Sequence, residues 1–155
     1  MPNLNIIFDC SGSFAIRGKR SLLVYAFRML ENIRQARDLS GVKFSYFYWQ
    51  KDEVGELSDE EILLQPDGSS DFDVLVDFLS EKAAQGEPSL LMTDGCYDSW
   101  GELSQLSPYD KLFVSVILMG ADADWQMAGT SDLFLYPLVD LPTAVRNVVA
   151  YDMRQ

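Results

Sequence analysis

Short apolar runs alternate along this chain with longer amphipathic segments, and this alternation limits the possible folds more than any other feature. Residues 4–8, 89–92 and 112–119 are apolar runs of the kind expected for strands buried on both faces of a sheet. Within residues 22–33 and 72–79, apolar side chains recur at helical spacing. The alternation predicts an α/β domain with an open, mostly parallel sheet and helices on both faces.

The remaining segments complete the same sheet. Residues 43–49 are rich in aromatic side chains, and residues 52–57 are predicted to return beside them as a short antiparallel edge strand. A last strand is predicted at 133–138, followed by a closing helix at 142–151 that has proline in its first turn. No repeat, low-complexity tract or linker interrupts the 155 residues, so residues 1–155 are predicted to form one domain.

Composition excludes several classes of function. The net charge of −12 disfavours phosphate backbones and anionic lipid, so we expect neither nucleic acid nor a membrane as partner. The absence of histidine removes Ser-His-Asp triads, Cys-His pairs and imidazole zinc ligands. Cys10 and Cys96, the only cysteines, cannot form a disulfide framework or a four-thiolate zinc site. With no apolar run near the roughly 18 residues that span a bilayer, a soluble, cytoplasmic protein is expected.

Three polar segments fall at predicted strand ends or at a helix start, and an open parallel sheet binds its ligands at the carboxyl ends of its strands. Residues 9–13 (Asp-x-Ser-x-Ser) follow the first strand, residues 68–71 (Gly-Ser-Ser-Asp) precede a helix, and residues 93–95 (Thr-Asp-Gly) follow a later strand. In order and approximate spacing, this set resembles the metal-ion-dependent adhesion site of von Willebrand factor A domains. The resemblance extends along the whole chain. One departure is Ser70, where the family has threonine.

The resemblance implies a three-layer Rossmann-like von Willebrand A fold and a specific set of metal ligands. Carried over residue by residue, those ligands are Asp9, Ser11, Ser13, Ser70 and Asp94. Carboxylate, hydroxyl and water oxygens suit Mg²⁺, which takes about six oxygens near ~2.1 Å, and Mn²⁺ or Ca²⁺ are the alternative ions. Serine at position 70 keeps the oxygen of threonine without the methyl group that restrains its rotamer, so coordination is expected to be looser.

The candidate site has no histidine, no reactive base and no substrate pocket visible in the sequence, so we expect a protein-interaction module that is not an enzyme. Only two carboxylates balance the charge of the ion, so the ion keeps an attraction for an acidic side chain supplied by a protein partner. For small stand-alone bacterial domains of this kind, the implied partners are AAA-type ATPases or other intracellular complexes, including the tellurium-resistance-associated group.

Each candidate residue also has a structural interpretation. Asp9 can satisfy loop amides or cap the following helix, and Ser70 can be a plain N-cap, with Ser69 as the alternative hydroxyl. Cys10 and Cys96 are more often small packing residues than a functional thiol pair.

Two other functions compete with the interaction module. A Mg²⁺-dependent hydrolase or phosphatase of the haloacid dehalogenase type also places an aspartate after its first strand, but it usually has a second acid two residues later, where this chain has Ser11. Alternatively, a scaffold keeps an unused metal site and binds partners through Tyr97 and Trp100, two aromatic residues that can equally pack a short helix. Trp125 has the same ambiguity, and the nearby Asp122 and Asp124 more often solvate a loop than bind a second ion.

Overall fold

A computed structural model describes residues 2–15, 19–59, 63, 65–68, 70–94, 103, 105–120 and 133–153. Within these ranges, the strands are β1 (Asn3–Asp9), β2 (Lys43–Gln50), β3 (Glu53–Glu56), β4 (Ser89–Thr93), β5 (Val114–Leu118) and β6 (Phe134–Pro137). The α-helices are α1 (Arg20–Arg34), α2 (Phe72–Ala84), α3 (Pro108–Lys111) and α4 (Leu141–Met153). None of the described helices is both long enough and apolar enough to cross a bilayer.

The six strands form one sheet in the order β3-β2-β1-β4-β5-β6. Every neighbouring pair is parallel except β2 and β3, which run antiparallel at one edge. The predicted α/β class, the mostly parallel sheet and the short antiparallel edge strand are therefore confirmed.

The core follows from the alternation of side chains along the strands. Leu4, Ile6 and Phe8 of β1 belong to a buried cluster that also contains apolar residues of α1 and α4. Ile7 points the other way and belongs to a second cluster, built with apolar residues of α2 and β5. Successive side chains of a strand lie on opposite faces of the sheet. The run in β1, which is apolar from position 4 to position 8 except at Asn5, is therefore buried on both faces.

One predicted strand is shorter than its apolar run. The run at 112–119 was predicted as strand throughout, but β5 begins only at Val114, because Leu112 is the C-cap of the short helix α3. Ser107 caps the start of this helix by accepting a hydrogen bond from the backbone N–H of Asp110 at 3.1 Å. Continuous apolar sequence cannot by itself separate a buried strand from the end of a helix.

Candidate functional site

The carboxyl ends of β1 and β4 meet where the strand order reverses. From β1 the chain goes to β2 on one side and later returns to β4 on the other side. Phe8 of β1 pairs with Met92 of β4, so continuing the register by one residue places Asp9 opposite Thr93. In open α/β sheets, the crevice outside the strand ends at such a reversal is the usual place for a ligand.

Asp9 is fully buried at this position, and both of its carboxylate oxygens accept hydrogen bonds. Oδ1 accepts from the backbone N–H of Ser11 at 3.0 Å, and Oδ2 accepts from the Thr93 hydroxyl at 2.6 Å. The predicted role of Asp9 in satisfying a loop amide is thus confirmed. The hydrogen bond from Thr93 to Asp9 was not predicted. The sequence did contain a signal for it, because Thr93 stands directly before Asp94 at the end of a parallel strand.

Asp94 is also fully buried, and it forms an ion pair with a lysine. The Nζ atom of Lys19 lies 3.1 Å from Asp94 Oδ2, and Lys19 itself is only 8% exposed. Lys19 is the N-cap residue of α1 and makes no capping hydrogen bond with its side chain. The sequence analysis did not identify this lysine, whose one local signal is a basic residue where N-caps are usually small and polar.

Ser70 joins the same edge through the main chain of β2. The carbonyl oxygen of Trp49 accepts hydrogen bonds from the backbone N–H of Cys10 at 2.9 Å and from the Ser70 hydroxyl at 3.4 Å. The N-cap of α2 is Asp71, whose side chain accepts from the backbone N–H of Asp73 at 2.9 Å. The interpretation of Ser70 as a plain N-cap is therefore wrong, because the helix begins one residue later.

Two glycines allow the loop after β1 and the loop before α2 to touch. The backbone N–H of Gly12 donates to the carbonyl oxygen of Gly68 at 2.6 Å, and a Cβ added at Gly12 would lie only 3.2 Å from that oxygen. Gly68 has a φ of 68°, a left-handed conformation that residues with a side chain rarely adopt. A second contact, from the Asp67 N–H to the Cys10 carbonyl at 3.1 Å, holds the same two loops together.

Four of the five predicted metal ligands are buried at this edge of the sheet, with these exposed fractions: Asp9 0%, Ser11 3%, Ser70 7% and Asp94 0%. Ser13 lies in the 3₁₀ turn Gly12–Ala15, but its side chain is outside the described part of the structure. Several other candidates also fall outside the described residues: Ser69, Cys96, Tyr97, Trp100, Asp122, Asp124 and Trp125.

The donor set at this edge suits a hard cation. Carboxylate and hydroxyl oxygens are ligands that Mg²⁺, Mn²⁺ and Ca²⁺ share. No group of three or more His, Cys, Asp or Glu side chains in the described ranges is placed to hold a metal, so any ion here would depend on hydroxyls and water beside the two aspartates. The Lys19 ammonium already contacts one of the aspartate oxygens.

Cys10 adds no soft ligand to this set. Burial, and to a lesser degree the negative charge of Asp9, raise the pKa of the Cys10 thiol well above its ordinary value. The thiolate is the form that binds metal and attacks electrophiles, so Cys10 stays a protonated packing residue at neutral pH. Its side chain belongs to the buried cluster that contains β1, α1 and α4 residues.

Comparison with known proteins yields a likeness of fold. No family model matches the chain, and no curated protein matches it. Two structures of proximal thread matrix protein 1 from the mussel byssus superpose with a TM-score of 0.58 at 14% sequence identity, over 97% of this chain. The matched region covers 48% and 47% of those chains, so this chain spans about half of their length. At this level of identity the likeness concerns the fold alone.

Proposed function

We propose that this chain is a von Willebrand A-type domain, with the three-layer Rossmann-like arrangement of that family, that binds a protein partner through a divalent cation. Asp9, Ser11, Ser70 and Asp94 would hold the ion, together with Ser13. The observation that carries the proposal is the convergence of two fully buried aspartates and two buried serine hydroxyls at the strand-order reversal. Carboxylate and hydroxyl oxygens are the ligands that a hard cation prefers, and this edge is where open α/β sheets bind their ligands.

The proposed mechanism gives each residue a distinct part. Asp9 and Asp94 supply anionic oxygens, while Ser11 and Ser70 supply neutral ones. Thr93 orients Asp9 through its 2.6 Å hydrogen bond. When bound, the ion supplies positive charge that these two carboxylates only balance, which leaves an attraction for an acidic side chain of the partner. An intracellular partner, such as an AAA-type ATPase complex, belongs to the same proposal and rests on the sequence resemblance alone. A cytoplasmic location is also proposed, and it rests on the composition of the sequence.

A metal-free scaffold is the second candidate, and one observation favours it. The ion pair between Lys19 and Asp94 already compensates one of the two buried carboxylates. A domain of this kind would keep its fold without metal and bind partners elsewhere on its surface.

The first test is calorimetric titration of metal-stripped protein with Mg²⁺ and Mn²⁺. We expect one binding site, lost in the double variant Asp9→Ala, Ser11→Ala. A matched control is Asp77→Ala, Ser58→Ala, which makes the same two changes at exposed positions. The control is expected to bind as the wild type does. Wild-type protein that binds neither ion would favour the metal-free scaffold.

Carboxylate binding has its own readout. Mn²⁺ bound to the wild type is expected to enhance the relaxation of water protons, and added acetate should lower that enhancement by replacing a coordinated water. Chloride at the same ionic strength is the control and should leave the enhancement unchanged. Turnover of 4-nitrophenyl phosphate by wild type that Asp9→Asn abolishes would instead establish the hydrolase.

A further inference from the structure

Lys19 occupies a position that is unfavourable for a basic residue in two ways. It is the N-cap of α1, where the orphan N–H groups and the helix dipole favour a negative or small polar group over a positive one. It is also 8% exposed, although lysine is among the residues least often buried. A buried ammonium at the positive end of a helix therefore needs a specific compensation.

Asp94 supplies that compensation. The pair is 3.1 Å long, and the side chains of Lys19 and Asp94 are 9% and 0% exposed, so water screens the pair little. The two residues are 75 positions apart in the chain, and the fold brings them together. Asp94 is also one of the two carboxylates that the proposed cation needs.

We propose that Lys19 is an internal counter-ion that competes with the divalent cation for Asp94. This inference rests on the proposed function and adds its regulation: the ammonium neutralises Asp94 in the metal-free domain and must withdraw from Oδ2 before an ion can use that oxygen. Lysine suits this part because its charge is a compact point on a flexible four-carbon stem, and the unfavourable helix terminus assists its withdrawal.

Two consequences follow for the site. The domain keeps a compensated interior without metal, so folding does not depend on the ion. Metal affinity is lowered by the free energy of breaking the Lys19–Asp94 pair and by repulsion between two cations at one edge. An acidic partner side chain that binds together with the ion offsets this repulsion, so ion and partner are expected to strengthen each other's binding.

The test is calorimetric titration of Mn²⁺ into wild type, Lys19→Met and Lys43→Met. Methionine keeps an unbranched side chain that is one heavy atom shorter, and it removes the charge. Lys43 is exposed at the opposite end of the sheet, so Lys43→Met is the matched control. We expect Lys19→Met to bind Mn²⁺ about tenfold or more tightly than wild type, because the competitor and its repulsion are gone. Lys43→Met should match wild type.

Lys19→Arg separates charge from packing, since it keeps a positive charge and is expected to stay within about threefold of wild-type affinity. An arginine variant that binds as tightly as the methionine variant would overturn the proposal. Equal binding by wild type and Lys19→Met overturns it as well, while leaving the metal-dependent function intact. Absence of binding in all variants overturns the proposed function and the inference that rests on it.

Lys19→Met loses the counter-ion of a buried aspartate, so its folding is measured separately. Thermal unfolding with and without Mn²⁺ should show a larger metal-induced rise in Tm for Lys19→Met than for wild type, because the ion replaces the missing charge. A variant that Mn²⁺ stabilises no more than wild type contradicts the competition.

Discussion

The two ends of the parallel strands both bury polar side chains, but they satisfy them differently. At the amino end, the amide nitrogens of Asn3 and Asn5 each donate to a carboxylate oxygen of Glu87 at 3.1 Å. At the carboxyl end, the buried groups are ionic: Asp94 pairs with Lys19 at 3.1 Å. At the amino end, two amides and the Lys82 ammonium, 3.9 Å away, surround a carboxylate that is partly exposed. At the carboxyl end, the charges are almost fully buried.

The difference between the two ends lies in the free energy that each kind of burial requires. A buried ion pair contributes little or nothing to stability relative to apolar packing, since desolvation offsets the attraction of the charges. The amide network at the amino end ties β1 to the segment before β4 and needs no further explanation. The ionic cluster at the carboxyl end lies where open sheets bind ligands, which fits the binding role proposed above.

The largest effect is expected from removing one carboxylate at each end. Asp94→Ala should lower the free energy of unfolding by about 3–5 kcal/mol, because it leaves the Lys19 ammonium buried without its partner. Glu87→Ala should lower it by only about 1–2 kcal/mol. The amide of Asn5 keeps a contact with the Pro88 carbonyl at 3.5 Å, and Glu87 is within reach of water.

Urea denaturation of both variants measures this comparison. The double variant Lys19→Met, Asp94→Ala is the control, and it should recover most of the loss by removing the stranded charge. Equal losses in the two single variants would mean that the two ends do not differ as described.

A smaller effect is expected from the hydroxyl that orients Asp9. Thr93→Val keeps the shape of the side chain but removes the donor to a buried carboxylate, so it should lower the free energy of unfolding by about 1–3 kcal/mol. Thr93→Ser retains the donor and should lose less. At the amino end, Ser45 donates to Asn3 Oδ1 at 2.8 Å in a partly exposed setting. Ser45→Ala should therefore lower the free energy of unfolding by about 0.5–1 kcal/mol. Urea denaturation would distinguish this loss from the larger one expected for Thr93→Val.

The smallest change in the free energy of unfolding is expected at Ser89, the first residue of β4. Here the substitution should stabilise the fold instead of destabilising it. Among the described side chains, the Ser89 hydroxyl oxygen is buried without a hydrogen-bond partner. Ser89→Ala should raise the free energy of unfolding by up to about 1 kcal/mol, because an unsatisfied hydroxyl is unfavourable in the interior. Thermal and urea unfolding at neutral pH measure it. A clear loss of stability would show that Ser89 has a partner in solution.

Most of the fold was predictable because its signals are local. The apolar run of β1, the helical spacing in α1 and α2, and the aromatic hairpin strand each follow from side chains within a few positions of one another. The carboxyl-end location of Asp9 and Asp94 follows from the same patterns, since Asp9 directly follows one apolar run and Asp94 follows another after Thr93. The short helix α3 was missed, and the apolar run that enters β5 begins at the C-cap of that helix.

The candidate site was predictable only in part, because its partners are distant in sequence. Ser70 was predicted as a metal ligand before a helix, but its contact with the Trp49 carbonyl could not be predicted, because it depends on the position of β2. No local pattern predicts that Lys19, at the start of α1, will neutralise Asp94 at the end of β4. Side chains 75 positions apart meet only when the sheet sets the order of its strands.

The sequence by itself determined the class of fold, the mostly parallel sheet and the edge at which its acids gather, since periodicity and apolar runs act over short distances. Only the tertiary structure decided which groups donate hydrogen bonds to Asp9 and that the Lys19 ammonium pairs with Asp94. Burial and strand register settle those pairings, and both are properties of the assembled sheet.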